Sequence, residues 1–131
     1  MNKILEFTIP FPKIGSGSRK NQLCTMNNAP YWYRYNKTKI KNGVKARLVE
    51  WLVPKYDKEP HATGKIEFRL YRPTKLRLDP DAGCGSAYKW IIDTIVEQGY
   101  FIDDDRLTLV LYPVVVEPER VETDIEVKVY V

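Results

Sequence analysis

Residues 64–72 carry the cleanest pattern in the chain: Ile66, Phe68 and Leu70 interleave with Lys65, Glu67, Arg69 and Tyr71. A period of two places these apolar side chains on one face and the polar ones on the other, which predicts a strand with one buried and one wet face. Asp124 to Val131 repeats the pattern, with Ile125, Val127, Val129 and Val131 alternating with polar partners. Ile4 to Ile9 is a short β-rich segment closed by Pro10 and Pro12, so it reads as a first strand ending in a loop. Leu107 to Val116 is a mostly apolar strand disturbed by Pro113.

Two segments follow the helical period instead. Asn36 is a candidate cap for a helix running to about Val53, whose stripe is Ile40, Val44, Leu48, Trp51 and Leu52 and whose stop is Pro54. A second helix is expected from Ser86 to Gln98, with Ile91, Ile92, Ile95 and Val96 as its stripe and Gly99 ending it. The expected architecture is α+β, a mixed sheet with two helices in the order β-α-β-α-β-β, forming a single domain over residues 1–131. From Phe11 to about Asn36 there is little periodicity, and loops this long in compact domains tend to be functional or disordered. Its Gly15-Ser16-Gly17-Ser18-Arg19-Lys20 stretch reads as mobile and basic, and lacks the glycine spacing and terminal Gly-Lys-Ser/Thr of a P-loop. Tyr31-Trp32-Tyr33-Arg34-Tyr35 has two readings: rings that stack on bases beside a guanidinium that pairs with phosphate, or a strand or loop packing its rings on the core.

Composition narrows the class. With 131 residues and 44% apolar content, the chain is large enough for one self-supporting core. Cys24 and Cys84 have no partner at metal-ligand spacing and His61 is the only histidine, so a four-ligand zinc site lacks its ligands and both cysteines read as reduced thiols. No leader opens the sequence and no apolar run approaches a membrane span, so a soluble cytoplasmic protein without a membrane partner is expected. The net charge of +4 hides a steep asymmetry: residues 1–78 hold 17 Lys/Arg against 5 Asp/Glu, and residues 79–131 hold 4 against 12. A basic half suits a polyanion. An acidic half suits metal ions, although two solvated faces attracting each other across the fold would look the same.

The acidic half is where chemistry concentrates. Asp79-Pro80-Asp81 precedes the second helix, Lys89 stands in its first turn, and Asp103-Asp104-Asp105 follows it. Each piece has a plain explanation. Asp79-Pro80-Asp81-Ala82-Gly83 makes a good β-turn, Lys89 and Asp93 are spaced for a weak helical pair, and the three acids suit a solvated loop. Charge placement argues for more: a cation in the first turn opposes the helix dipole unless carboxylates or a phosphate lie in front of it, and consecutive acids repel without a neutralising ion.

In this order the residues resemble the RusA-type Holliday junction resolvases, whose signature is Asp-x-Asp-Asn, a lysine opening a helix, an aspartate one turn later, a Gly-aromatic step and a final Asp-Asp pair. The matching positions are Asp79-Pro80-Asp81, Lys89, Asp93, Gly99-Tyr100 and Asp103-Asp104, about a quarter of the chain, and the stretches around Lys89 and Gly99 look closest to phage-borne members. Two positions depart from the signature: Ala82 stands where asparagine is expected, and Ala82 to Tyr88 is glycine-rich.

The resemblance implies a homodimeric, Mg²⁺-dependent endodeoxyribonuclease that resolves four-way junctions or related branched DNA in recombination or repair, with Mn²⁺ able to substitute. It implies Asp79, Asp81 and Asp104 as catalytic metal-binding carboxylates, Asp103 as a further metal ligand, and Lys89 as the contact to the scissile phosphate. Arg19, Lys20, Arg34, Lys37, Lys41 and Lys45 are the candidate DNA contacts. The second helix is roughly 20 Å long, so the two acidic groups leave from opposite ends; they meet either by Gln98–Asp104 folding back or across a twofold axis. Two other classes stay open: an inactive DNA-binding protein on the same scaffold, and a small interaction module serving a protein partner.

Overall fold

A computed structural model describes residues 1–131, the side chain of Tyr35 apart. The elements are β1 (Lys3–Pro10), a 3₁₀ turn (Met26–Asn28), α1 (Ala29–Arg47), a π-helical turn (Leu48–Leu52), β2 (Gly64–Arg72), α2 (Ala87–Glu97), β3 (Leu107–Leu111), β4 (Val115–Val116) and β5 (Asp124–Tyr130). The five strands form one mixed sheet in the order β1-β5-β2-β3, with β4 pairing on β2 beyond β3. β5 runs antiparallel to both β1 and β2, whereas β3 and β4 run parallel to β2. A parallel neighbour requires a crossover, and α2 supplies it between β2 and β3. The α+β architecture and its element order are as the periodicities predict, with the Leu107–Val116 segment divided in two.

The period-two segments pack as expected. Opposite one another in register stand Ile66 with Val129, Phe68 with Val127 and Leu70 with Ile125, and β1 adds Phe7 opposite Val127 and Ile9 opposite Ile125. All are buried, and they form one core with Tyr88, Ile91 and Ile95 of α2. Tyr88 lies stacked on Phe68 with ring centroids 4.1 Å apart. The opposite sheet face carries charge: Lys128 lies between Glu6 and Glu126, and Lys65 pairs with Glu67. One dry and one wet face is what a half-covered mixed sheet requires.

The first helix departs from expectation at its start, in the Tyr31–Tyr35 run and at Trp51. α1 begins at Ala29, seven residues before Asn36, with Pro30 in its first turn, where a missing N–H costs nothing. The Tyr31–Tyr35 run is therefore helical rather than strand or loop. Asn36 is an interior residue that donates from Nδ2 to Ser16 Oγ at 3.1 Å, not a cap. Trp51 is 73% exposed rather than part of the stripe. The cause is the π turn: the Val53 amide donates to the Leu48 carbonyl five residues back at 2.7 Å, and the extra residue per turn rotates Trp51 outward while Leu48 and Val53 stay buried. The Gly15–Lys20 stretch is the tip of a closed hairpin, its base held by Ile14 N–H donating to Gln22 and Gly15 N–H to Lys20. Finally, Pro113 removes a ladder donor, so β3 and β4 are separate strands.

Under the long loop lies a second small core of Ile14, Cys24, Trp32 and Trp90. Trp32 Nε1 donates to the Thr25 carbonyl at 3.0 Å, and Ser86 Oγ donates to the Cys24 carbonyl. These contacts fasten the loop to the first turns of both helices. No helix is long and apolar enough to cross a membrane.

Gly99, at φ +92°, ends α2 in the left-handed region as expected of a helix stop. Gly64 serves close approach instead: a Cβ there would sit 2.7 Å from the Tyr130 carbonyl oxygen and closer still to the Phe101 ring. Gly64→Ala is expected to cost about 1–3 kcal/mol through overpacking, measured by urea unfolding. A change within experimental error would mean that β5 and Phe101 yield freely.

Candidate active site and nucleic-acid interface

Asp79 and Asp81 lie in the turn expected of their sequence. The Ala82 amide donates to the Asp79 carbonyl at 3.0 Å and the Cys84 amide to the Asp81 carbonyl at 2.9 Å. Tyr88 anchors this turn, because its hydroxyl donates to the Pro80 carbonyl at 2.9 Å while its ring is stacked on Phe68 in the core. Both aspartates line a wide cleft of about 1130 Å³, shared with Arg72, Arg77, Asn21 and Leu76. Arg77 Nε lies 3.4 Å from Asp79 Oδ1. Partial burial, with the charge of Asp81 adding to it, raises the pKa of the nearby Cys84 thiol above its ordinary value. Burial alone pushes Cys24 up to about 12. Both cysteines are free.

The turn leads into the N-terminal end of α2, whose first turn contains no acidic residue. Lys89 stands there with its side chain 65% exposed, and its Nζ lies 3.7 Å from Asp93 Oδ2 one turn on. An exposed helical pair of this kind contributes only about 0.3–0.5 kcal/mol, so little holds the ammonium back from an anion.

Asp103 and Asp104 are elsewhere. α2 is about 16 Å long at 1.5 Å per residue, and the second acidic group follows its far end. The fold-back of Gln98–Asp104 does not occur within one protomer. That segment is pinned beside residues 56–61, with Tyr56 N–H donating to Gln98, His61 N–H to Tyr100 and Ile102 N–H to His61. It then enters β3, whose Leu107 is opposite Gly64 at the start of β2. Asp103 Oδ1 accepts from the Asp104 amide at 2.7 Å, a local loop contact. The structure thus brings Asp79 together with Asp81, and Asp103 with Asp104, but does not unite the four. Among the described residues no three His, Cys, Asp or Glu side chains are arranged to hold a metal ion. Asp79 and Asp81 alone match the lighter requirement of Mg²⁺, which keeps several waters and takes one or two carboxylates plus substrate phosphate oxygens.

The expected DNA contacts also divide. Arg19 lies 3.8 Å over the exposed Tyr31 ring, and Lys20 is exposed on the adjacent hairpin. Lys37 donates to the Tyr33 hydroxyl at 2.9 Å and lowers that phenol's pKa. Arg34 is exposed on the same half of α1, and Lys41 is half-buried farther along it. Lys45 is bound 2.7 Å from Glu97 at the end of α2, with a side chain only 20% exposed, so it ties the helices together rather than offering a free charge. The aromatic run splits by helical phase: Trp32 is buried, whereas Tyr31 and Tyr33 remain 46% and 42% exposed. Arg72 and Arg77 are the cleft residues that motif spacing did not single out, although a cation two residues before Asp79 is itself a readable sign of charge compensation.

Comparison of the chain with protein-family models found no match, and a search of curated proteins found no significant relative.

Proposed function

We propose that this chain is a Mg²⁺-dependent, structure-specific endodeoxyribonuclease that cuts four-way junctions or related branched DNA, working as a homodimer. The observation that carries the reading is the anchored Asp79-Pro80-Asp81 turn, on the wall of a wide cleft and immediately before a helix that has the weakly held Lys89 in its first turn. Asp79 and Asp81 would hold the metal, whose contribution is to activate water and stabilise the departing 3′ oxygen. Lys89 and the positive end of α2 both act on a phosphate in front of them, offsetting the charge that develops during hydrolysis. Arg19, Lys20, Arg34 and Lys37 contribute backbone attraction independent of sequence. Because Asp104 is at the far end of α2, its participation requires a second copy related by a twofold axis, a symmetry that also suits two equivalent cuts.

The separation of the two acidic groups equally favours a second reading, a DNA-binding protein on this scaffold that does not cleave. An end-labelled synthetic four-way junction, incubated with and without Mg²⁺ beside linear duplex and flap controls, separates them. Paired symmetric nicks that require metal support the nuclease. Tight junction binding with no cutting under Mg²⁺ or Mn²⁺ supports the binder.

A further inference from the structure

Away from the aspartates, a groove of about 360 Å³ lies between α1 and the end of β1. Its floor is apolar, formed by Ile9, Phe11, Ile14 and Ile40, and its α1 wall carries Lys39, Gly43 and Arg47. The α1 lysines expected to meet DNA, Lys37, Lys41 and Lys45, do not line it.

Three observations point to an occupant. Gly43 is a helix-weakening residue in the interior of α1, yet a Cβ built on it meets nothing within 4 Å. Packing therefore gives no reason for its missing side chain, whose effect is an open notch in the wall. One turn to either side, Lys39 and Arg47 are exposed and make no hydrogen bond or ion pair among the described residues. The remaining rim charges, Lys13 and Glu122, already pair with each other at 3.2 Å. The net demand is for two negative charges flanking an apolar group.

Spacing selects the backbone that carries them. Arg47 lies eight helical steps beyond Lys39, about 12 Å along the axis. In an extended peptide, side chains at positions p, p+2 and p+4 share one face, and the outer two are about 13 Å apart. A phosphate ladder offers no apolar group midway between its charges.

We propose that this groove docks an extended acidic segment of a partner protein with the pattern acid-x-apolar-x-acid, its carboxylates on Lys39 and Arg47 and its apolar side chain in the notch above Gly43. The site is independent of the nuclease reading, since it uses none of the residues assigned to cleavage or DNA contact.

A fluorescein-labelled peptide Gly-Asp-Ser-Phe-Ser-Asp-Gly titrated into the full-length protein, followed by anisotropy, tests it. The wild type should bind, and replacing the peptide's phenylalanine by serine should weaken binding at least tenfold. Gly43→Leu fills the notch and should also weaken binding at least tenfold while raising the Tm by about 2–4 °C, because leucine is the better helix former. Loss of binding with gain of stability separates an occupied notch from simple misfolding. Lys39→Glu and Arg47→Glu should each weaken binding several-fold, and Gly43→Leu, which alters no charge, should leave junction cleavage or binding unchanged. The proposal is overturned if the wild type does not bind the peptide or if Gly43→Leu binds it as well as wild type. It is also overturned if a single-stranded oligonucleotide displaces the peptide in a Gly43-dependent way, or if sedimentation shows that Gly43→Leu dissociates a dimer, which would make the groove a nucleic-acid or self-association surface.

Discussion

Asp81→Asn is expected to abolish Mg²⁺-dependent cutting of a four-way junction, lowering the rate by roughly 10²–10³-fold or more, while leaving junction affinity intact or slightly higher. The substitution keeps the shape of the side chain and removes its charge, which is the property Mg²⁺ requires of a ligand. The turn should survive, because it is held by the Asp81 carbonyl, the Asp79 carbonyl and the Tyr88 hydroxyl rather than by the Asp81 carboxylate. Asp81 is exposed, so the change in stability should stay within about 0.5 kcal/mol. Binding should not weaken, since removing a negative charge from the cleft would reduce its repulsion of a phosphate backbone. Wild-type cleavage by this variant would remove Asp81 from the chemistry.

The separation of the acidic groups makes the companion variant, Asp104→Asn, equally informative. If each site combines Asp79 and Asp81 of one copy with Asp104 of the other, both variants are inactive alone. Mixed after subunit exchange, half the dimers pair one of each, and in these one site carries both lesions while the other carries none. About one quarter of wild-type sites should then return, visible as nicks in one strand at a time. A site built within one chain returns nothing on mixing.

How readable this fold was follows from where local pattern and tertiary path coincide. β2, β5 and α2 each have an uninterrupted period of apolar residues, and each has its expected boundaries to within a residue or two. The start of α1 was hidden because its inward stripe, Trp32, Ile40, Val44 and Leu48, is broken by the polar Asn36, and because Pro30 suggests a break where it marks a first turn. The π turn has no local signature; it becomes visible only when Leu48 and Val53 are found buried on the same side. For the candidate site, the exit of the two acidic groups from opposite ends of α2 could be foreseen. The course of Gln98–Asp104 could not, because hydrogen bonds to Tyr56 and His61, more than 35 residues earlier in the chain, determine it.

The aromatic run 31–35 supports the second large effect. Trp32→Ala is expected to destabilise the protein by about 3–5 kcal/mol, the range for a fully buried large aromatic. The indole is fully buried among Ile14, Cys24 and Trp90, meets Trp90 edge to face at a centroid distance of 6.0 Å, and donates to the Thr25 carbonyl. Its loss leaves a cavity between the helices and removes one of two hydrogen bonds to the Thr25 carbonyl, which keeps the Asn28 amide at 3.1 Å, so the cost is mainly that of the cavity. Tyr31→Ala and Tyr33→Ala should behave in the opposite way. Their rings are nearly half exposed; Tyr31 meets Arg19, and Tyr33 meets Lys37 and, tilted at a centroid distance of 5.4 Å, Trp32, the cation contacts being worth about 0.5–1 kcal/mol at a surface. If those rings stack on unpaired bases at a junction, each replacement should weaken junction binding by about 1–3 kcal/mol with little change in the urea midpoint. Urea unfolding and junction titration on the three variants therefore assign the two readings of the run to different residues, the core to Trp32 and the nucleic acid to Tyr31 and Tyr33. Equal destabilisation by all three, with junction affinity unmoved, would return the whole run to packing.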